Sequence, residues 1–157
     1  PVPRITVEPC RSIVAEAGYT LYTVGGVKEI PGVRTYVSVD GGMFDNPRCA
    51  LYGSEYTVVS AQRPDAPHTR EVTIAGKCCE SGDLITEHAF LPQDIKSGEL
   101  IAVLTTGAYN YSMASNYNRN TVPAVVLANN GHACVIVRRE SYEDLVSRDI
   151  VPEQLAK

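Results

Sequence analysis

The chain has 157 residues, 44% hydrophobic and 20% charged, with a formal net charge of −4, which suffices for one ordinary domain with a real core and leaves no room for two large ones. No Lys/Arg run exceeds Arg138-Arg139, so the basic footprint of a nucleic-acid binder is missing, and no apolar run approaches the ~20 residues of a membrane span. Cys10, Cys49, Cys78, Cys79 and Cys134 are odd in number and irregularly spaced, which argues against a disulfide framework and for a reducing, cytoplasmic setting. Adjacent Cys78 and Cys79 suit one tetrahedral metal poorly, and no metal site is expected.

The chain opens at Pro1 without an initiator Met and runs straight into a strand-like segment, which reads as a cut through a longer protein. Residues 4–7 read as a short buried strand, stopped where Pro9 removes a backbone donor. Residues 12–17 are alanine-rich and read as a short helix with Gly18 as C-cap. From Tyr19 the period changes. Residues 20–27, 35–39, 56–60, 70–75, 100–105, 124–128 and 132–137 are β-branched or aromatic runs of strand length. Turn residues separate them: Pro31-Gly32, Asp40-Gly41-Gly42, Pro64-Asp65, Ser97-Gly98 and Asn129-Asn130-Gly131. Many short strands with frequent turns predict a mainly β fold, an antiparallel barrel or sandwich. Residues 140–148 are charged and turn-free, and predict a short C-terminal helix.

Four segments carry possible chemistry. Glu8-Pro9-Cys10-Arg11 joins a strand end to a helix start, a common ligand position; its carboxylate and guanidinium could meet a cationic ring and an anion, or form a surface ion pair. Residues 40–48 form a long polar loop, in which Arg48 could grip a carboxylate with two prongs, with Tyr52 beside it; on its own the segment reads more readily as a solvated loop with Arg48 as a surface cation. Lys77-Cys78-Cys79-Glu80-Ser81-Gly82-Asp83 sets two thiols and two carboxylates after a strand. A loop thiol can move a proton, and a buried one is filler; Cys78 reads as filler, Cys79 beside Glu80 as the functional thiol. Residues 107–118 are rich in small, polar and tyrosine side chains, so the Tyr109 hydroxyl could bind phosphate or sit in a tyrosine-rich turn. His68, His88 and His132 have no ligand spacing and read as structural or solvated.

Their order is more specific than any one of them. Glu-Pro-x-Arg-Ser-Ile-Val, then Asp-Gly-Gly-Met-x-Asp-Asn-x-Arg, then Cys-Glu-Ser-Gly-Asp, then Gly-Ala-Tyr-x-x-Ser-Met-Ala-Ser-Asn-Tyr-Asn resembles the bacterial diaminopimelate decarboxylases over about residues 4–149. Those are pyridoxal-phosphate enzymes of the alanine racemase-like fold group. The resemblance implies two domains, a cofactor-binding β/α barrel and a C-terminal β-barrel or sandwich domain. Residues 1–18 would be the last strand and helix of the barrel, and residues 19–157 the β-rich domain with its short terminal helix. It also implies conversion of meso-2,6-diaminopimelate to L-lysine and CO2 in lysine biosynthesis, by a homodimer whose subunits share their sites.

By the same resemblance, Glu8 pairs with the pyridinium nitrogen and the backbone N–H of Cys10 meets the cofactor phosphate. Arg11 lies at the phosphate or substrate end, and Tyr109 at the phosphate and substrate. Arg48 and Tyr52 hold the distal end of the substrate, and Glu80 reads its distal ammonium. Cys79 is the catalytic residue, protonating the carbon that has lost CO2; Cys79 and Glu80 serve the opposite subunit. Lys28, Lys77, Lys96 and Lys157 lie outside the context of the Schiff-base lysine, so the isolated chain is expected to be inactive and not to retain cofactor. Cys10 stands where the family has glycine, and Cys49 where proline is common. Two other readings are a related decarboxylase of ornithine or arginine, and a non-catalytic dimerisation or regulatory module on the same fold. Glu80 after Cys79, and Arg48, speak against the first; retention of Glu8, Arg48, Cys79, Glu80 and Tyr109 speaks against the second.

Overall fold

The computed structural model describes residues 2–155, in two compact units, Pro1–Ala114 and Ser115–Lys157. In the first unit the β-branched runs become β1 (Thr20–Ile30), β2 (Arg34–Val39), β3 (Val58–Ser60), β4 (His68–Ala75), β5 (Leu84–Pro92) and β6 (Leu100–Val103). They form one six-stranded sheet in the order β3-β6-β1-β2-β4-β5. Pairing is antiparallel except between β2 and β4. The sheet curls until its β3 edge reaches β4, next to the far edge: the Ser60 N–H at the end of β3 donates to His68 Nε2 at the start of β4, at 3.1 Å. This is a mainly β, nearly closed barrel-like sheet.

Val24, Val37, Val39, Val72, Ile74, Ile85, Leu91, Ile101 and Val103 are buried inside the curl. Each such side chain contributes about 1.5–3 kcal/mol of burial, so the sheet is held by its inner face. The seven strands expected from Tyr19 onward all form, with ends shifted by a few residues. Strand β5 was not among them. Its inward alternation is interrupted at exposed Glu87 and His88, where the pairing with β4 changes register; a bulge resets which side chains face the core and hides the period-2 signal.

The N-terminal expectations need correction. Residues 4–7 do not form a strand, and Ile5 and Val7 are 82% and 79% exposed. A strand needs neighbours for its N–H and C=O groups, and among the described residues none lies alongside. Residues 12–17 are not one helix: Cys10–Ser12 and Ala15–Ala17 are separate 3-10 turns, broken at Val14 with φ −135°. Gly18 is extended rather than a left-handed cap. It is glycine because two backbones cross there; a Cβ would lie 2.3 Å from Gly107 Cα. At this crossing the Thr106 N–H donates to Gly18 O at 2.9 Å and the Gly107 N–H to Ala15 O at 3.0 Å.

In the second unit β7 (Val125–Asn129) and β8 (His132–Val137) form an antiparallel hairpin. Asn130 and Gly131 both take positive φ in its turn, the conformation that suits two-residue hairpins. The expected terminal helix is shorter than 140–148, spanning Tyr142–Val146, and starts in a capping box between Ser141 and Asp144. No helix of the described residues is long and apolar enough to cross a membrane.

Candidate active site

The loop after β2 is shaped by a buried carboxylate. Tyr22 donates its hydroxyl to Asp45 Oδ2 at 2.6 Å, and the Gly42 N–H donates to Asp45 Oδ1 at 2.7 Å. Burial pushes Asp45 above the usual carboxylate range, while these hydrogen bonds pull it back. The loop delivers the chain into α1 (Arg48–Tyr52), closed by Gly53 in the left-handed region. Four residues apart on one turn, Arg48 and Tyr52 share a helix face. The Arg48 guanidinium carbon lies 5.0 Å from the Tyr52 ring centre and 5.2 Å from that of Tyr109. An arginine between two aromatic faces is held by cation–π attraction. Arg48 also reaches Met113 Sδ at 3.6 Å, and its Nε is buried with no acceptor. Among the described residues it forms no ion pair.

Tyr109 stands just before α2 (Asn110–Met113), with φ +72°. Its hydroxyl hydrogen-bonds with the Cys10 thiol, which raises Tyr109 above its ordinary value, while the charges of Arg48 and Arg11 act the other way. Cys10 itself has φ +57°. The position where the resemblance places glycine therefore does take glycine's conformation, and the cysteine occupies it under strain. Cys10, Tyr109, Arg48 and Tyr52, scattered over 99 positions between the first and last, come together in one cluster. Arg11 lies near enough for its charge to reach Tyr109. Glu8 is exposed on the irregular segment before them.

The Cys79 loop is built differently. Lys77 N–H donates to Gly41 O at 3.0 Å, and Gly76 N–H to Asp83 O at 2.8 Å. The Asp83 side chain is 3% exposed and accepts the N–H of Met43 and that of Cys78, each at 2.6 Å. Burial, then the Asp83 carboxylate, pushes the Cys78 thiol up to about 11; so high a value withholds thiolate and suits filler. Cys79 and Glu80 are exposed at the tip, with Ser81 donating its hydroxyl to Glu80 Oε1 at 3.2 Å. Among the described residues no hydrogen bond joins Cys79 to the Arg48 cluster. His68 and His88 are structural: the first accepts from Ser60, and the second pairs with Glu71 at 2.9 Å. Sequence reasoning missed Asp45 as the organiser of the Arg48 loop and Met113 as a wall of the Arg48 slot. The small residues of Asp40-Gly41-Gly42 were the signal for close packing, but not for what packs there.

A nearly closed sheet that presents an arginine between two tyrosines, beside a loop with an exposed thiol and carboxylate, matches a known kind of domain. Residues 12–107 match the family described as pyridoxal-dependent decarboxylase, C-terminal sheet domain, and the chain belongs to that family. Its relatives narrow this. It is 56% identical to the diaminopimelate decarboxylase of Bacillus subtilis over 149 residues, covering 95% of this chain and 34% of that protein. It is 50% identical to that of Synechocystis, over 99% of this chain and 33% of the relative. The solved diaminopimelate decarboxylase of M. jannaschii superposes with a TM-score of 0.84 at 38% identity, over 92% of this chain and 32% of that one. The lysine/ornithine decarboxylase of Vibrio vulnificus gives 0.58 at 25% identity, over 69% of this chain and 29% of that one. The chain thus spans about a third of the length of the relatives it matches.

Proposed function

We propose that the chain supplies the sheet-domain share of a diaminopimelate decarboxylase, which releases CO2 from meso-2,6-diaminopimelate and leaves L-lysine. The observation that carries this is Arg48: a half-buried cation, fixed between two tyrosine rings, with no carboxylate partner among the described residues. Such a group is prepared for an anion brought by a ligand. A substrate with a distal carboxylate meets that requirement, and ornithine does not. The closer likeness to diaminopimelate decarboxylases than to the lysine/ornithine enzyme supports the same choice.

The donors fit pyridoxal phosphate. Tyr109 offers a hydroxyl and Arg11 a nearby cation for the phosphate, although the Cys10 thiol now engages that hydroxyl. When bound, the cofactor supplies an electron sink for the electron pair released with CO2. Glu8 holds the proton on the ring nitrogen. Arg11, Tyr109 and the Cys10 N–H bind the phosphate, with Arg11 and Tyr109 reaching the substrate end. Arg48 and Tyr52 grip the distal carboxylate, and Glu80 takes the distal ammonium. Cys79 delivers its thiol proton to the α-carbon, while Cys78 keeps its own. In this reading residues 1–18 close a β/α barrel and residues 19–157 form the partner domain. Cys79 and Glu80 serve the opposite subunit of a cytoplasmic homodimer, and the Schiff-base lysine comes from outside this chain, which alone is inactive.

In the holoenzyme, Cys79→Ala is expected to lower kcat by at least about 100-fold, the scale of a lost proton donor, with Cys78→Ala within a few-fold of wild type. Equal losses would overturn the assignment of the proton to Cys79. CO2 release from diaminopimelate by the isolated chain with added cofactor would overturn the division of labour.

A further inference from the structure

The Arg48 side chain has one hydrogen-bond acceptor among the described residues: Met113 Sδ, 3.6 Å from Nη1. The contact follows from how α2 is built. Its Met113 N–H donates to Tyr109 O at 2.9 Å, so one turn of chain carries both the Tyr109 ring and the Met113 thioether. Asn110, between them, is 5% exposed and seats this turn in the core, with its Nδ2 3.5 Å from the Tyr56 hydroxyl. The turn therefore offers Arg48 two different surfaces. The Tyr109 ring, centred 5.2 Å from the guanidinium carbon, faces the charge. The Met113 sulfur receives an N–H.

A thioether is uncharged and a weak acceptor, so it can direct a guanidinium without neutralising it. A carboxylate in its place would take the fork for itself by paired charge-assisted bonds. A leucine would fill the space and direct nothing. We infer that Met113 is the positioning residue that aims the Arg48 fork and leaves its charge available to a carboxylate of the ligand. This rests on the reading of Arg48 as the grip on the distal carboxylate. Met113 touches no reacting atom in that reading, and Arg48, Tyr109 and Met113 all belong to the site of their own subunit. Acceptor strength and charge at position 113 then tune affinity for the distal carboxylate, with little effect on the chemical step.

The test is the series Met113→Leu, Met113→Gln and Met113→Glu in the holoenzyme. Leucine keeps the volume and loses the acceptor, a swap that cores tolerate well, so the fold should survive it. With Met113→Leu, KM for diaminopimelate should rise about three- to tenfold, the scale of one modest hydrogen bond, and kcat should stay within about twofold. Glutamine restores a neutral acceptor and should bring KM back to within about twofold of wild type. Glutamate should raise KM most, by about 20-fold or more, because its carboxylate occupies the fork. Proton exchange at Arg48 Nε, followed by NMR on the 157-residue chain, reads the contact without substrate. It should quicken in Met113→Leu and stay near wild type in Met113→Gln. Unchanged exchange together with unchanged KM in Met113→Leu overturns the inference. So does an equal rise of KM in the leucine and glutamine variants, which would make packing the cause. Quickened exchange with KM unchanged in all three variants would instead sink the assignment of Arg48 to the substrate and leave the contact standing.

Discussion

Residues 2–9 and residues 77–83 are both irregular, and they are irregular for opposite reasons. The first segment has the composition of a strand and lies exposed, with Ile5 and Val7 turned to solvent. The second has the composition of a loop and is tied at Lys77 and Asp83 by hydrogen bonds to Gly41, Gly76 and Met43, with Cys78 bonded to Asp83 inside it. The lesson is that apolar β-branched residues fix a backbone only where neighbours complete the ladder, whereas a buried carboxylate carries its acceptors with it. A site can therefore be better defined on the loop than on the would-be strand.

The sharpest way to break this comparison is to remove the anchor. Asp83→Ala leaves two half-buried N–H groups without their acceptor, at about 1–3 kcal/mol each, so urea denaturation should show a loss of about 3 kcal/mol. A loss below about 1 kcal/mol would mean that water replaces the carboxylate and that the loop is not pinned by it. Next comes Gly76→Ala. Its Cβ would meet Asp83 Oδ2 at 2.2 Å, and overpacking of this kind costs about 1–3 kcal/mol. The same change at Gly82, which has open space around it, should be nearly silent and serves as the control.

Cys10→Gly tests the residue that follows the first region. It relieves a non-glycine residue from φ +57°, a strain of about 1 kcal/mol, and frees the Tyr109 hydroxyl from the thiol. Thermal unfolding should shift upward by a few degrees, and tighter binding of cofactor should accompany it in the holoenzyme. No gain in either would show that the thiol contact compensates the strain.

How much of this could be read from the residues differs by region. The strands were legible because 35–39, 100–105 and 132–137 carry β-branched runs between turn residues, and the structure puts strands on them. Strand β5 was not, since its bulge at Glu87 and His88 breaks the alternation. The gathering of Arg48 with Tyr52 was legible at spacing four. Its second ring, Tyr109, lies 61 positions on, and only the fold brings it there. Asp83 was visible as part of Cys-Glu-Ser-Gly-Asp, but nothing local says which distant N–H a carboxylate will accept. The expectation for 4–7 failed in the other direction: the local signal was sound, and the partners that would satisfy it are not among the described residues.

A smaller effect comes from pH. Because burial and Asp83 raise the Cys78 thiol from near 9 to about 11, the folded state favours the protonated form. That contribution is fully present below about pH 9 and is lost as pH rises through about 11. Wild type should therefore lose stability across this window more steeply than Cys78→Ala, as followed by denaturation at fixed pH steps. Parallel profiles would mean that the thiol is not coupled to the Asp83 anchor.

The smallest effect in this chain should be at Ile5, and it is the one that sharpens the comparison most. At 82% exposure, Ile5→Ser removes little buried surface, and exposed substitutions of this kind stay within about 0.5 kcal/mol. If residues 4–7 are the last strand of a barrel in the holoenzyme, the same change there places a hydroxyl in a core. It should then cost about 2–4 kcal/mol through lost burial and an unsatisfied polar group. Denaturation of both forms gives the difference directly. Equal small losses would show that segment 2–9 has no buried role even with its neighbours present, and Glu8 would then lose the strand that is proposed to aim it.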